Sequence, residues 1–260
     1  MSLNDELKLV HDQLCEELEH PYVRSILPEP VIDRDKLLIY YVLFRLSRFG
    51  TSAAECTKSV LVAEIGLNTH RNVSNISMEG ITGSEATKQR QLTVLSGDFY
   101  SALYYFWLAR QPNMEVIKWV AQAIQKFNVQ QCTFFYPASH PNWIEMIAAI
   151  KEIESALVKK IAEQLGFTQM ISYLTDFLLV KKLIFEQSAH GHESGLFYRV
   201  LHDTFDHCPE RLDKTIREKK TQLIKALNRP EDERQQWRPL LNYLRNRMER
   251  LTESAEEGIY

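Results

Sequence analysis

The stretch Arg90–Arg110, RQLTVLSGDFYSALYYFWLAR, decides how the rest of the chain is read. Leu92, Leu95, Phe99, Leu103 and Phe106 recur at helical spacing and form one apolar stripe. Val94, Tyr100, Tyr104, Tyr105 and Trp107 cover much of the remaining circumference. A helix apolar nearly all round is expected to be central, packed on more than one side. Two residues go against local preference. Gly97 costs about 1 kcal/mol relative to alanine in a helix interior, and Asp98 sets a carboxylate among aromatics. Both call for a tertiary explanation, so this helix is taken as the organising element.

Outward from it the chain reads as all-α. To the N-terminal side, Ser2 and Asp5 stand at capping-box spacing before a helix over 4–19. Asp33 is placed to cap a second helix, 34–49, ended by Gly50. A third runs over 52–70, with Val60, Ala63, Ile65 and Leu67 on its apolar side. The polar run 71–88 reads as a loop. To the C-terminal side, helix 114–128 follows a short Pro112-Asn113 connection, which predicts an antiparallel hairpin with 90–110. Asn142 and Glu145 are placed as N-cap and third-position partner of a helix ending at Gly166. Helices over 168–187, 196–206, 210–227 and 235–251 complete the chain, with 252–260 as a frayed tail. No repeat, linker or composition break appears, so one all-α domain over 1–260, a single helical bundle, is the expected architecture.

Composition sets further bounds. The 260 residues carry a net charge of −3 and show no extended basic patch, which argues against a nucleic-acid binder that works by neutralising phosphates. No apolar run reaches the ~20 residues needed to span a bilayer. The N-terminus is polar and acidic, unlike a signal peptide. Cys15, Cys56, Cys132 and Cys208 are scattered and form no CxxC pair, the usage expected of a cytoplasmic protein.

The scan for chemistry finds little. His190, His192, His202, His207 and Cys208 cluster late, but their spacing matches no zinc motif. There is no Gly-x-Ser-x-Gly elbow, no phosphate-binding glycine loop and no cysteine with neighbours that would activate it. Asp203 and Asp206 are three apart and Asp176 stands alone, short of the oxygen cluster that Mg²⁺ requires. No catalytic residue and no metal ligand is assigned from residue chemistry.

The run Val94-Leu95-Ser96-Gly97-Asp98 resembles one carried by trans-prenyl diphosphate synthases on the helix after their first aspartate-rich motif. With Arg90–Thr93, the Tyr104-Tyr105 pair, the HPY of His20–Tyr22 and the DKLL of Asp35–Leu38, the chain is more closely similar to the small-subunit (component I) family of bacterial two-component heptaprenyl diphosphate synthases. The likeness covers most of the chain, and its central motif is the specific part. It implies the isoprenoid synthase fold without the aspartate motifs. At the place of the first motif, after Thr69-His70, the sequence reads Arg71-Asn72-Val73-Ser74-Asn75. Arg71, Asn72 and Asn75 stand where the relatives have carboxylates, and an arginine and two neutral amides cannot gather Mg²⁺ around a diphosphate. The second motif has no counterpart, and PEPVIDRDKL replaces the segment that grips isopentenyl diphosphate in those relatives.

The resemblance therefore implies a regulatory, non-catalytic subunit. A catalytic component II would hold both aspartate motifs, Mg²⁺, farnesyl diphosphate and isopentenyl diphosphate, and make the menaquinone side-chain precursor. No cofactor is expected on this chain. Its expected interface and chain-length residues are Phe99, Leu103, Tyr104, Phe106 and Trp107, with Gly97 and Asp98 as structural positions. Self-association in the partner's absence is a further expectation. A helical adaptor that kept the fold but binds another partner is the alternative, and a metal enzyme using the late His/Cys cluster is a third reading.

Overall fold

The computed structural model describes residues 2–19, 30–73, 83–110, 114–137, 140–188, 195–229 and 232–257. Among them are ten α-helices, two short 3₁₀ segments (Gly50–Ser52 and Asp232–Trp237) and no strand. The helices are α1 (Leu3–Leu18), α2 (Arg34–Arg45), α3 (Ala53–Asn72), α4 (Gly83–Ala109) and α5 (Met114–Phe135), then α6 (Trp143–Gln164), α7 (Thr168–Ser188), α8 (Leu196–Thr204), α9 (Cys208–Leu227) and α10 (Arg238–Glu257). Contacts divide the chain into two compact units, residues 1–122 and 123–260.

In the first unit α1 starts as its sequence predicts. Ser2 Oγ accepts from Asp5 N at 3.3 Å, and Asp5 Oδ2 accepts from Ser2 N at 3.0 Å, satisfying two amides that a helix start leaves open. Val10, Leu14 and Leu18 are its buried stripe. Asp33 caps α2 by accepting from the amides of Asp35 and Lys36 at 3.0 and 3.1 Å. That helix stops at Arg45, before the expected residue 49. Ser47 Oγ donates to Phe44 O and accepts from Phe49 N, and these local bonds compete with helix propagation. The turn sends Phe49 inward, edge-on to Phe44 at 6.1 Å and to Trp119 of α5 at 5.6 Å.

The central helix of this unit is α3, and this corrects the expectation that placed 90–110 at the centre. Every residue from Cys56 to Gly66 is buried, polar ones included. Its charged members are held by partners on other helices or a turn away. Lys58 Nζ lies 2.6 Å from Glu17 of α1 and 3.0 Å from Glu55. Burial alone would push that ammonium down, but its bonds to Glu17 and Glu55 hold it above its ordinary value. Glu64 accepts from Tyr40 Oη and pairs with Lys36 Nζ of α2 at 2.6 Å. Burial raises the Glu64 carboxyl despite the Lys36 charge, and it raises the Tyr40 phenol, with the Glu64 charge adding to it.

Against α3 lies α4, running antiparallel, since position 66 meets 97 and 101 while position 70 meets 97 and 98. The face it buries is largely one of small residues, Ala86, Thr93, Ser96 and Gly97, with Tyr100 and Leu108. The loop expected over 71–88 is shorter: α3 continues to Asn72 and α4 already begins at Gly83, with 74–82 outside the described residues. The SEATKQ run is made of residues that a helix accepts readily. A close α4–α5 hairpin is not found among the described residues. Trp119, Val120 and Phe127 are on the buried side of α5. That helix also runs to Phe135, seven residues past its expected end.

In the second unit, the start of α6 is closed by reciprocal 3.0 Å bonds between Asn142 and Glu145. Its end is a Schellman motif: Phe167 N donates to Ala162 O and Gly166 N to Glu163 O, with Gly166 at φ +80°. Phe167 then packs edge-on to Trp237 at 4.7 Å. α7 is the common neighbour here, packed by α6, α8, α9 and α10. Its fully buried Glu186 accepts from Tyr198 N at 2.8 Å and so closes the first turn of α8 from a distance. Arg245 of α10 donates to Leu227 O at 2.8 Å, occupying an open carbonyl at the end of α9. The 252–260 tail differs from expectation: 252–257 continue α10, as the helix-favouring Glu and Ala content allows.

Among the described residues, no helix is long and apolar enough to cross a membrane.

Candidate functional site

The end of α3 is where a metal-binding carboxylate cluster would stand by resemblance. Arg71 Nη2 donates to Asn68 Oδ1 at 2.7 Å, within one turn of its own helix. Asn72 is exposed at the last position of α3, and Asn75 lies outside the described residues. A guanidinium and an amide offer Mg²⁺ no anionic oxygen. Asp176, on α7 of the other unit, is engaged by Lys151 Nζ at 2.5 Å and by Ser172 Oγ at 3.2 Å. That lysine already neutralises the carboxylate. The residues at these positions do not fit the ion.

The late histidine cluster does not converge among the described residues. His190 and His192 lie outside them. His202 and His207 are exposed, and the carboxylates of Asp203 and Asp206 face solvent. Cys208 is buried, and that burial pushes its thiol up to about 11, away from the thiolate that a zinc ligand or nucleophile needs. No group of three or more potential metal ligands forms among the described residues.

What remains is the outer face of α4. The stripe read from the sequence is only partly open to solvent: Leu95 and Phe106 are exposed, whereas Leu92, Phe99 and Leu103 are partly covered. Leu95 keeps 62% of its surface exposed, Phe106 54% and Tyr105 55%. Leu92, Phe99, Leu103, Tyr104 and Trp107 are half-buried. The expectation of a helix packed on several sides is thus corrected: the buried side is the small-residue side. From Leu92 to Phe106 the stripe runs about 21 Å at 1.5 Å per residue. Phe99 packs edge-on to buried Tyr100 at 5.4 Å, while the Arg110 guanidinium sits 5.2 Å over the Phe106 ring. Burial raises the phenol of Tyr104, with a smaller push from Tyr105.

Gly97 is buried against α3, and the His70 ring fills the space a side chain would take. Asp98 is not buried among aromatics as its neighbours suggest. Its side chain is largely exposed, with its Oδ1 3.4 Å from His70 Nε2. The face that sequence reasoning missed is the α3–α4 seam. Its signal was the helical spacing of Thr93, Gly97 and Ser101 on one helix and of Ser59, Ala63 and Gly66 on the other.

Known proteins share both the sequence pattern and the fold. A heptaprenyl diphosphate synthase component 1 from Geobacillus stearothermophilus is 32% identical over 139 residues, which is 54% of this chain and 60% of that protein. The aligned region thus spans about three-fifths of the curated relative's length. A geranyltransferase crystal structure from Helicobacter pylori superposes with a TM-score of 0.62, covering 98% of each chain at 12% identity. At that identity the likeness establishes the fold: an all-helical bundle of the prenyltransferase type. Residues 20–232 match the family described as heptaprenyl diphosphate synthase (HEPPP synthase) subunit 1. That match runs over most of the sequence, and the chain belongs to this subunit 1 family.

Proposed function

We propose that this chain is the non-catalytic subunit of a two-component heptaprenyl diphosphate synthase and docks on an aspartate-rich catalytic subunit through the outer face of α4. One observation carries the reading. Leu95, Tyr105 and Phe106 on the outer side of α4 are left exposed by the chain's own fold, with Phe99 partly covered between them. A contiguous exposed apolar face of this kind marks a partner surface, and aromatic side chains dominate the centres of such surfaces. The curated relative's description as component 1 supports the same assignment, as does the chemistry of Arg71, Asn72 and the Lys151-bound Asp176, which leaves Mg²⁺ and the diphosphates to the partner.

In this reading the catalytic subunit condenses farnesyl diphosphate with isopentenyl diphosphate, and its growing isoprenoid chain extends toward the subunit boundary. Phe99, Leu103 and Phe106 supply part of the apolar wall there, with Tyr104 and Trp107 flanking it. The contribution of this chain is shape and exclusion of water. It moves no proton and holds no substrate phosphate. Its aromatic bulk helps to set the length at which elongation stops.

The test is reconstitution. The purified chain is mixed with component II, farnesyl and isopentenyl diphosphates and Mg²⁺, beside each component alone. Activity confined to the mixture is expected. Activity of component II unaffected by this chain would overturn the reading and favour an adaptor with a different partner.

A further inference from the structure

Two elements of the sequence resemblance, Thr69-His70 and Gly97-Asp98, flank the missing carboxylates, and the docking face uses neither. The structure brings them together. At Gly66 of α3 a side chain would meet Ser101 Oγ at 3.2 Å and the Gly97 carbonyl at 3.4 Å, so the two helices approach closely there. One turn further along α3, the imidazole of His70 fills the volume that a Gly97 side chain would occupy. A Cβ at Gly97 would stand 2.5–2.6 Å from ring atoms Cε1, Nδ1 and Nε2. The same ring places Nε2 3.4 Å from Asp98 Oδ1. One side chain of α3 is therefore held by two consecutive residues of α4, the first as a steric socket and the second as a charged partner.

A socket made by a missing Cβ is selective for rotation. Turning α4 by a single residue, about 100°, would replace Gly97 by a residue with a side chain and carry Asp98 away from the ring. The next residue, Phe99, belongs to the outer stripe. From this we infer that His70, Gly97 and Asp98 form a latch that fixes the rotation of α4 on α3, making His70 a positioning residue for the partner-docking face. The last step rests on the proposed function; the latch itself does not.

The experiment uses the full chain and four variants: Gly97→Ala, His70→Ala, the double variant and Asp98→Asn. Each is read by urea unfolding, by affinity for the catalytic subunit and by product length of the mixed enzyme. Gly97→Ala is expected to weaken partner affinity at least ~10-fold, and the double variant to return to within about threefold of His70→Ala, because sites in direct contact are non-additive. Asp98→Asn, which removes charge without adding volume, should weaken affinity by about threefold at unchanged helicity. Parent-like affinity in Gly97→Ala, or a double variant weaker than Gly97→Ala by the full effect of His70→Ala, as independent sites would be, overturns the latch. Altered unfolding with unchanged affinity and product length reduces the contact to local packing and overturns the positioning role. If the parent chain binds no catalytic subunit, the proposed function fails, and the latch is read from unfolding alone: non-additivity between positions 70 and 97 supports it and additivity overturns it.

Discussion

Truncating the outer face of α4 gives a magnitude that can be worked from exposure. Phe106 retains 54% of its surface in the isolated chain. For an aromatic side chain of ~200 Å², covering the remaining ~100 Å² at about 25 cal/mol per Å² is worth ~2.5 kcal/mol. Leu95, 62% exposed, would contribute a further ~1–2 kcal/mol when covered. The two lie about 16 Å apart along α4, so their effects should add. Phe106→Ala is expected to weaken binding of the catalytic subunit by ~70-fold, and the Leu95→Ala, Phe106→Ala double variant by about 10³-fold. The decisive control is stability. Because part of each side chain is already covered in the isolated chain, unfolding of the chain alone should change by about 1–2 kcal/mol per site, less than the accompanying loss of affinity. Affinity measured by titration calorimetry beside urea unfolding separates the two. A double variant that binds within about threefold of the parent, or whose unfolding midpoint falls in proportion to its lost affinity, would refute docking through this face.

Other outcomes follow from the same geometry. Phe99→Ala or Leu103→Ala should lengthen the products of the mixed enzyme, read by chromatography of the dephosphorylated prenols; unchanged lengths with intact binding would remove the wall role while leaving assembly standing. Glu64→Ala takes the carboxylate away from the buried ammonium of Lys36 and hydroxyl of Tyr40, and should cost about 3–5 kcal/mol in urea unfolding, with Glu64→Gln in between. Cys15 and Cys132 are exposed whereas Cys56 and Cys208 are buried, so a chromogenic disulfide should titrate two thiols in the native chain and four in denaturant. The folded Cys208 thiol holds its proton up to about pH 11, against 9.0 for its ordinary value. Its contribution to stability is therefore complete below pH 9 and is lost as pH rises through about 11; a Cys208→Val variant should lack that part of the decline. Asp176→Ala should leave the Mg²⁺ requirement of the mixed enzyme unchanged, since its carboxylate is engaged by Lys151.

The parts of the fold that were legible in the sequence are those whose cause is local. The Ser2–Asp5 and Asn142–Glu145 boxes, the Asp33 cap and the Gly166 stop each depend on residues within a few positions of one another. The central helix was not legible. Lys58 and Glu64 carry no local sign of burial, because the partners that permit it, Glu17, Lys36 and Tyr40, stand on other helices. The candidate face was half legible. Periodicity identified the Leu92–Phe106 stripe on α4, but periodicity carries no information about what covers a stripe. The packing choice went to Thr93, Ser96 and Gly97 because small residues let α3 come close, and Leu95, Tyr105 and Phe106 were left exposed. For Asp98 the need for a partner on a neighbouring helix was legible, and His70 stands there; its exposure was not, because its neighbours in sequence are aromatic.

The complete burial of Cys56–Gly66 has a bearing on how substitutions will distribute along this chain. A helix enclosed on every side offers no permissive position, so mutational scanning should find its least tolerant stretch there, far from any reacting group. Positions 71 and 72, at the end of α3, should tolerate exchange far better. Intolerance in this chain would then report scaffold geometry, and ranking residues by invariance would lead a search for its function to the wrong helix.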